Sequence, residues 1–186
     1  MLQRHSSRRQ RLDFGAQPLV GANVAIVANG QSDQASPGLT RKCMDALQEV
    51  TRGASLVMDA NGEIFDEYRN NLSLRGQPGV GDMFLKWVHG NPWTSERCER
   101  RRITPIPEDP RAYGEFPLNK ALANFDASDR KFVAVACARE PRRAILEAVD
   151  FKWWGWREAL KAEGVHVVFV DEAEARRGHA RHMGHV

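Results

Sequence analysis

Between about residues 20 and 170 the apolar positions of the chain switch repeatedly between short continuous runs and a helical period. That alternation predicts a parallel sheet wrapped by helices, because every parallel strand pair needs a crossover and the pattern supplies one each time. The first run, NVAIVA (23–28), ends at Asn29-Gly30 and reads as a buried strand. Ser36-Pro37 opens a helix in which Leu39, Cys43, Leu47 and Val50 share a face before Gly53 closes it. A second strand is expected over 55–58, then a helix over 63–72 with Ile64, Phe65, Tyr68 and Leu72 as its apolar face. A glycine- and proline-bearing loop (75–81) leads to a third helix with Val80, Met83, Phe84, Trp87 and Val88 inward. That loop is not a phosphate cradle: it lacks the Gly-Lys-Ser/Thr ending, and Asp82 at the helix start would cap amides and repel an anion.

From 91 to 119 the prolines at 92, 105, 107, 110 and 117 predict an irregular surface segment, with Ile103-Thr104 as a brief edge strand. The last third is more regular: a helix over 127–138, a strand over 144–149, a helix over 154–162 and a strand over 165–170. The fold class is therefore α/β, one domain over 19–171 with a central parallel sheet of about four or five strands and helices on both faces. Residues 1–18, with Arg4, Arg8, Arg9 and Arg11 and no acid before Asp13, are expected to form a disordered basic arm. Residues 172–186 carry His179, His182 and His185 but no apolar stripe, and read as a frayed polar tail rather than a metal site.

Composition narrows the class without naming a function. With 186 residues, 42% of them hydrophobic, one sizeable core needs no disulfide or structural metal to hold it. Three widely spaced cysteines and no CxxC pair point to a reducing compartment. No apolar run reaches the roughly 18 residues of a membrane span, and the amino terminus lacks the apolar centre of a signal peptide, so a soluble, cytoplasmic protein is expected. A net charge of +3 is too small to require a nucleic-acid partner.

Chemistry is expected beyond the carboxyl ends of the strands, where the crevice of an open parallel sheet lies. Asp59 and Asp150 follow strands, Asp129 sits in a first helical turn, and Glu67 lies one turn beyond Glu63 on the same helix face. Several carboxylates in one crevice repel one another unless a cation lies among them, which favours a hard divalent ion, Mg²⁺ or Mn²⁺, and phosphate-ester chemistry. Each acid alone is equally suited to capping: Asp126 and Asp129 suit the start of a helix, and Asp59 the helix after it.

The segments FDASDRKFVAVA (125–136), AVDFKWW (148–154) and IFDEYRNNL (64–72) resemble the PIN-domain nucleases, over about residues 23–170 with the carboxyl half as the specific part. The resemblance implies a PIN-like fold and Glu67, Asp129 and Asp150 as catalytic, metal-holding acids, with Asn29, Asp59 and Asp126 as candidates to assist. It places Lys131 and Lys152 near the phosphate path. It also implies an acid at the end of the first strand, where Val27-Ala28-Asn29 offers only the neutral oxygen of Asn29. Two functions follow: a Mg²⁺- or Mn²⁺-dependent endoribonuclease using a metal-activated water, or a catalytically degenerate adaptor that binds nucleic acid or protein. Single-stranded RNA, a homodimer and a protein regulator, as in toxin–antitoxin pairs or defence systems, are the partners the resemblance implies. Arg97, Arg100 and Arg101 beside Trp93 form a candidate nucleic-acid grip, diluted by Glu96 and Glu99. The tryptophans at 153, 154 and 156 form a second aromatic concentration beside Asp150.

Overall fold

A computed structural model describes residues 15, 17–53, 55–91 and 96–184. In chain order its elements are β1 (Leu19–Val20), α1 (Ala22–Ala28), α2 (Pro37–Gly53), β2 (Leu56–Asp59), α3 (Glu63–Asn71) and α4 (Val80–Gly90). There follow β3 (Cys98–Arg101), β4 (Pro105–Ile106), β5 (Asp109–Tyr113), a 3-10 turn (Lys120–Leu122), α5 (Arg130–Cys137), β6 (Ile145–Glu147), α6 (Lys152–Ala162), β7 (Val167–Phe169) and α7 (Glu172–Met183). The arm over residues 1–14, Trp93 and His185 lie outside the described residues.

The chain is a mixed α/β protein with small parallel sheets. Strands β1, β6 and β7 form a three-stranded parallel sheet in that order, with Leu19 opposite Ile145 and Glu147 opposite Phe169. Strands β2 and β3 make a separate parallel pair, and β4 with β5 an antiparallel hairpin. The Val57 N–H donates to the Pro18 carbonyl at 3.0 Å, so β2 runs beside the start of β1. The single ladder of four or five strands expected from the sequence is thus divided among shorter ones.

Helices α2, α3 and α4 begin and end close to where their apolar period places them. In α2, Leu39, Cys43, Leu47 and Val50 are buried as one stripe. In α4, Phe84 and Val88 are buried with Leu85, but Met83, expected inward, is 57% exposed. At the head of α4 a Cβ on Gly81 would stand 2.1 Å from the Ala25 carbonyl oxygen, so glycine is what lets α4 approach α1 this closely.

The first predicted strand is instead α1. Val24, Ala25, Val27 and Ala28 are all buried, because this short helix packs against α2 and α4 and beside the sheet. A helix buried on nearly every side has no polar face, so its sequence carries no helical period and reads like a strand. The real first strand is the two residues before it, and the β1 end falls at Gly21, not at Val27-Ala28-Asn29.

Two further segments differ from the sequence reading. The stretch expected to be irregular contains β3, paired in register with β2 from Cys98 opposite Leu56 to Arg101 opposite Asp59. Its sequence, CERR, has no apolar alternation to announce it. The expected frayed tail is helix α7 through Met183, capped by the Asp171 carboxylate on the Glu174 N–H at 2.9 Å. Polar bonds do the docking that an apolar stripe would otherwise do: Glu174 accepts from the Ser36 N–H (2.9 Å) and hydroxyl (2.7 Å), and Lys42 pairs with Asp171 at 2.5 Å. Gly178 lies flat on the Phe151 ring, where a Cβ would collide at 2.5 Å. Among the described residues no helix is long and apolar enough to cross a membrane.

Candidate functional site

A cavity of about 420 Å³ opens where α1 leaves β1 and α6 leaves β6, the carboxyl ends of two adjacent parallel strands. Its wall includes Asn23, Glu67, Asp129, Asp150, Lys152 and His182. The three acids singled out in the sequence therefore reach one cavity from three different places. Glu67 comes from the middle of α3; Asp129 from the residue before α5; Asp150 from the turn between β6 and α6. Two contacts hold the latter pair. The Trp153 indole N–H donates to Asp129 Oδ2 at 3.2 Å, and the Lys152 N–H reaches Asp150 Oδ1 at 3.3 Å.

Crowding of like charge shows in the proton affinities. Burial, then repulsion from Asp150, Asp126 and Glu67, pushes the Asp129 carboxyl up to about 7. Burial also raises Asp150, with Asp126 adding to it, against the Lys152 backbone N–H and ammonium. Beneath the wall, Glu147 ends β6 at 1% exposure and is raised well above the ordinary glutamate range by burial. Its one hydrogen-bond donor among the described residues is the Asn23 amide, and Asp150, Asp129 and Glu67 push in the same direction as burial.

Two lysines supply partial compensation. Lys131 Nζ stands 2.5 Å from Glu67 Oε2, and Lys152 Nζ 3.3 Å from Asp126 Oδ2. Among the described residues, no three His, Cys, Asp or Glu side chains converge closely enough to hold an ion as they are arranged. The donor set itself is chemically suited to a hard cation: carboxylate oxygens of Glu67, Asp129 and Asp150 with the Asn23 amide alongside, and no sulfur ligand on the cavity wall.

The structure puts the auxiliary candidates to other uses. Asp59, fully buried, caps α3 by accepting from the Glu63 N–H (2.8 Å) and the Ile64 N–H (2.9 Å), so both of its oxygens are committed to the helix. Asn29 caps α4: its Oδ1 accepts from the Gly81 and Asp82 N–H groups at 2.7 and 3.2 Å, and its Nδ2 donates to Asp82 at 2.9 Å. It does not line the cavity. Asp126 folds back on Ser128, whose N–H and hydroxyl it accepts at 3.0 and 2.8 Å. Glu63, on the face expected to be shared with Glu67, is instead bonded by the Tyr113 hydroxyl.

The arginine cluster is divided too. Arg101 is 3% exposed, and its guanidinium closes the carboxyl end of α5, donating to the Arg139 carbonyl at 2.9 Å and the Ala136 carbonyl at 3.3 Å. Its Nε pairs with Glu99 at 2.9 Å, which removes it from the nucleic-acid grip. Arg100 donates to the Asp59 carbonyl at 2.9 Å, and Arg97 is exposed. The expected partner Trp93 falls outside the described residues. Of the tryptophans near Asp150, Trp153 is 2% exposed, and Trp154 is sandwiched between Phe169 and the Arg157 guanidinium, 4.1 Å from its ring centre.

Asn23, Glu147 and His182 are the site-forming residues that the sequence reading passed over. The one available signal was Glu147, an acid inside the apolar run AILEAV (144–149) at a strand end. Asn23 was hidden inside the misread first strand, and His182 inside the supposed tail. No protein-family model, no curated protein and no solved structure matches this chain.

Proposed function

We propose that this cavity is the active site of a divalent-cation-dependent nuclease of PIN-like fold that hydrolyses phosphodiester bonds of RNA in the cytoplasm. The observation that carries the reading is the arrival of Glu67, Asp129 and Asp150 from three separated segments on one cavity wall, with Asp129 held near neutrality by its neighbours' charge. Acids gathered at the carboxyl ends of parallel strands are costly to folding and are kept where chemistry uses them. A bound Mg²⁺ or Mn²⁺ would supply neutralisation of phosphate charge and an activated water. Glu67, Asp129 and Asp150 are the residues that would hold it. Trp153 orients Asp129 toward the cavity, and Lys152, half-exposed at the rim, meets the phosphate backbone. The finer architecture, with β2–β3 continuing the β1–β6–β7 layer to five strands, belongs to the same proposal.

The test is cleavage of end-labelled single-stranded RNA by the purified chain with Mn²⁺, with single-stranded DNA in parallel. Cleavage that stops in EDTA and is lost in Asp129→Asn is expected; equal cleavage by that variant removes the site assignment. One observation favours a second reading, a non-cutting adaptor: the Lys131 ammonium already neutralises Glu67, and no three acids stand together. Calorimetry separates the two, since an adaptor binds RNA or protein without taking up Mn²⁺.

A further inference from the structure

Glu147 sits at the end of β6, directly beside the end of β1, and its carboxylate is buried without a cation. Among the described residues no lysine, arginine or histidine pairs with it, and the charged groups acting on it most strongly, Asp150, Asp129 and Glu67, are all acids. Its hydrogen-bond donor is fixed in orientation. Asn23 Oδ1 accepts the Ala148 N–H at 2.8 Å, so the amide must turn its Nδ2 toward Glu147 Oε2. The donor end of that amide suits an oxygen with a lone pair to offer, the state in which a carboxylate binds a cation.

Gly21, at the β1 end, completes the geometry. A Cβ built there would lie 2.4 Å from Glu147 Oε1 and 2.9 Å from Oε2. A side chain from β1 and the carboxylate from β6 therefore compete for one place, and glycine at 21 leaves it to Glu147. Such a buried charge, with one neutral donor, is destabilising unless something positive compensates it.

We propose that Glu147 is a fourth acid of the cation site, delivered from β6 into the position that a side chain at the end of β1 would otherwise fill, with Asn23 as its positioning residue. The assignment rests on the cation-site reading above. It makes the place of the carboxylate in space the functional quantity, and the strand that delivers it exchangeable.

The test is Mn²⁺ binding to the full chain, followed by electron paramagnetic resonance of the free ion, with thermal unfolding of the chelated protein alongside. Glu147→Gln keeps the side-chain length and an oxygen to accept from Asn23. It is expected to weaken Mn²⁺ binding by about tenfold or more, while the metal-free melting temperature holds or rises because a buried charge is gone. The exchange variant Gly21→Asp/Glu147→Ala restores most of the affinity. Gly21→Asp alone lowers the melting temperature, because two carboxylates then contend for one space. Wild-type Mn²⁺ binding by Glu147→Gln, with binding lost in Asp129→Asn, overturns the assignment of Glu147 and leaves the site standing. No Mn²⁺ binding by the wild type overturns both. If Glu147→Gln fails to fold, the exchange variant decides: folded with Mn²⁺ affinity it supports the proposal, folded without it overturns it.

Discussion

Replacing Asp129 by asparagine gives opposite results for stability and for cation binding. The carboxyl stands at about 7 in the folded protein against 3.8 for an ordinary aspartate. A carboxyl raised in this way is protonated folded and ionised unfolded between those values. Stability therefore falls as pH rises from about 4 to 7, and the loss is complete above 7. At 1.36 kcal/mol per unit the full difference is about 4 kcal/mol. Asparagine can still accept from the Trp153 indole but cannot ionise. Its advantage over wild type in the chelated protein grows by about 2–3 kcal/mol between pH 5 and pH 8. Urea unfolding at several pH values in EDTA measures this directly. Saturating Mn²⁺ reverses the order, because binding to the folded wild type adds about 2.7 kcal/mol at a hundred times Kd. A stability difference that is constant with pH would show that Asp129 does not feel its acidic neighbours, and the electrostatic argument for a cation would go with it.

Other consequences are simpler to check. Arg101→Ala empties a buried guanidinium position and leaves Glu99 and the α5 carbonyls short of a donor; it is expected to cost about 3–5 kcal/mol in urea unfolding. Normal stability with a selective loss of RNA affinity would instead return Arg101 to the binding surface. Asn29→Ala removes the cap of α4 and should cost about 1–2 kcal/mol with Mn²⁺ affinity unchanged by calorimetry; a change in affinity would place Asn29 at the cation after all. The Cys43 thiol, fully buried and raised by burial first and by Glu174 second, should be alkylated only as fast as the chain unfolds, whereas Cys137, nearer the surface, is reached first. Equal labelling rates followed by mass spectrometry would contradict that.

The legible parts of the fold are those with one wet and one dry face. Leu39, Cys43, Leu47 and Val50 announce α2 because the positions between them are polar, and the same contrast marks α3 and α4. Contrast is absent in α1, where packing against α2, α4 and the sheet buries nearly all of NVAIVA, and it is absent in β3, where buried Arg101 looks like a surface residue. In α7 the docking is carried by Glu174, Asp171 and Gly178, residue types that ordinarily face water. Site residues divide along the same line. Glu67, Asp129 and Asp150 stand at predictable places relative to helices and strands. Asn29, Asp59 and Arg101 look equally functional in one dimension and prove to be helix caps.

From the order of residues alone come the α/β class, most of the helices and the three acids with a reason to meet, because each depends on local periodicity or on position beside a strand. Tertiary structure decided the rest: that β1 ends at Gly21, that Glu147 takes the space that glycine leaves, and that α7 brings His182 to the cavity. Those facts depend on which segments touch across more than a hundred residues of chain, as Asn23 and Glu147 do at a separation of 124. Close packing and the cost of burying charge select such contacts, and neither leaves a periodic trace in the sequence.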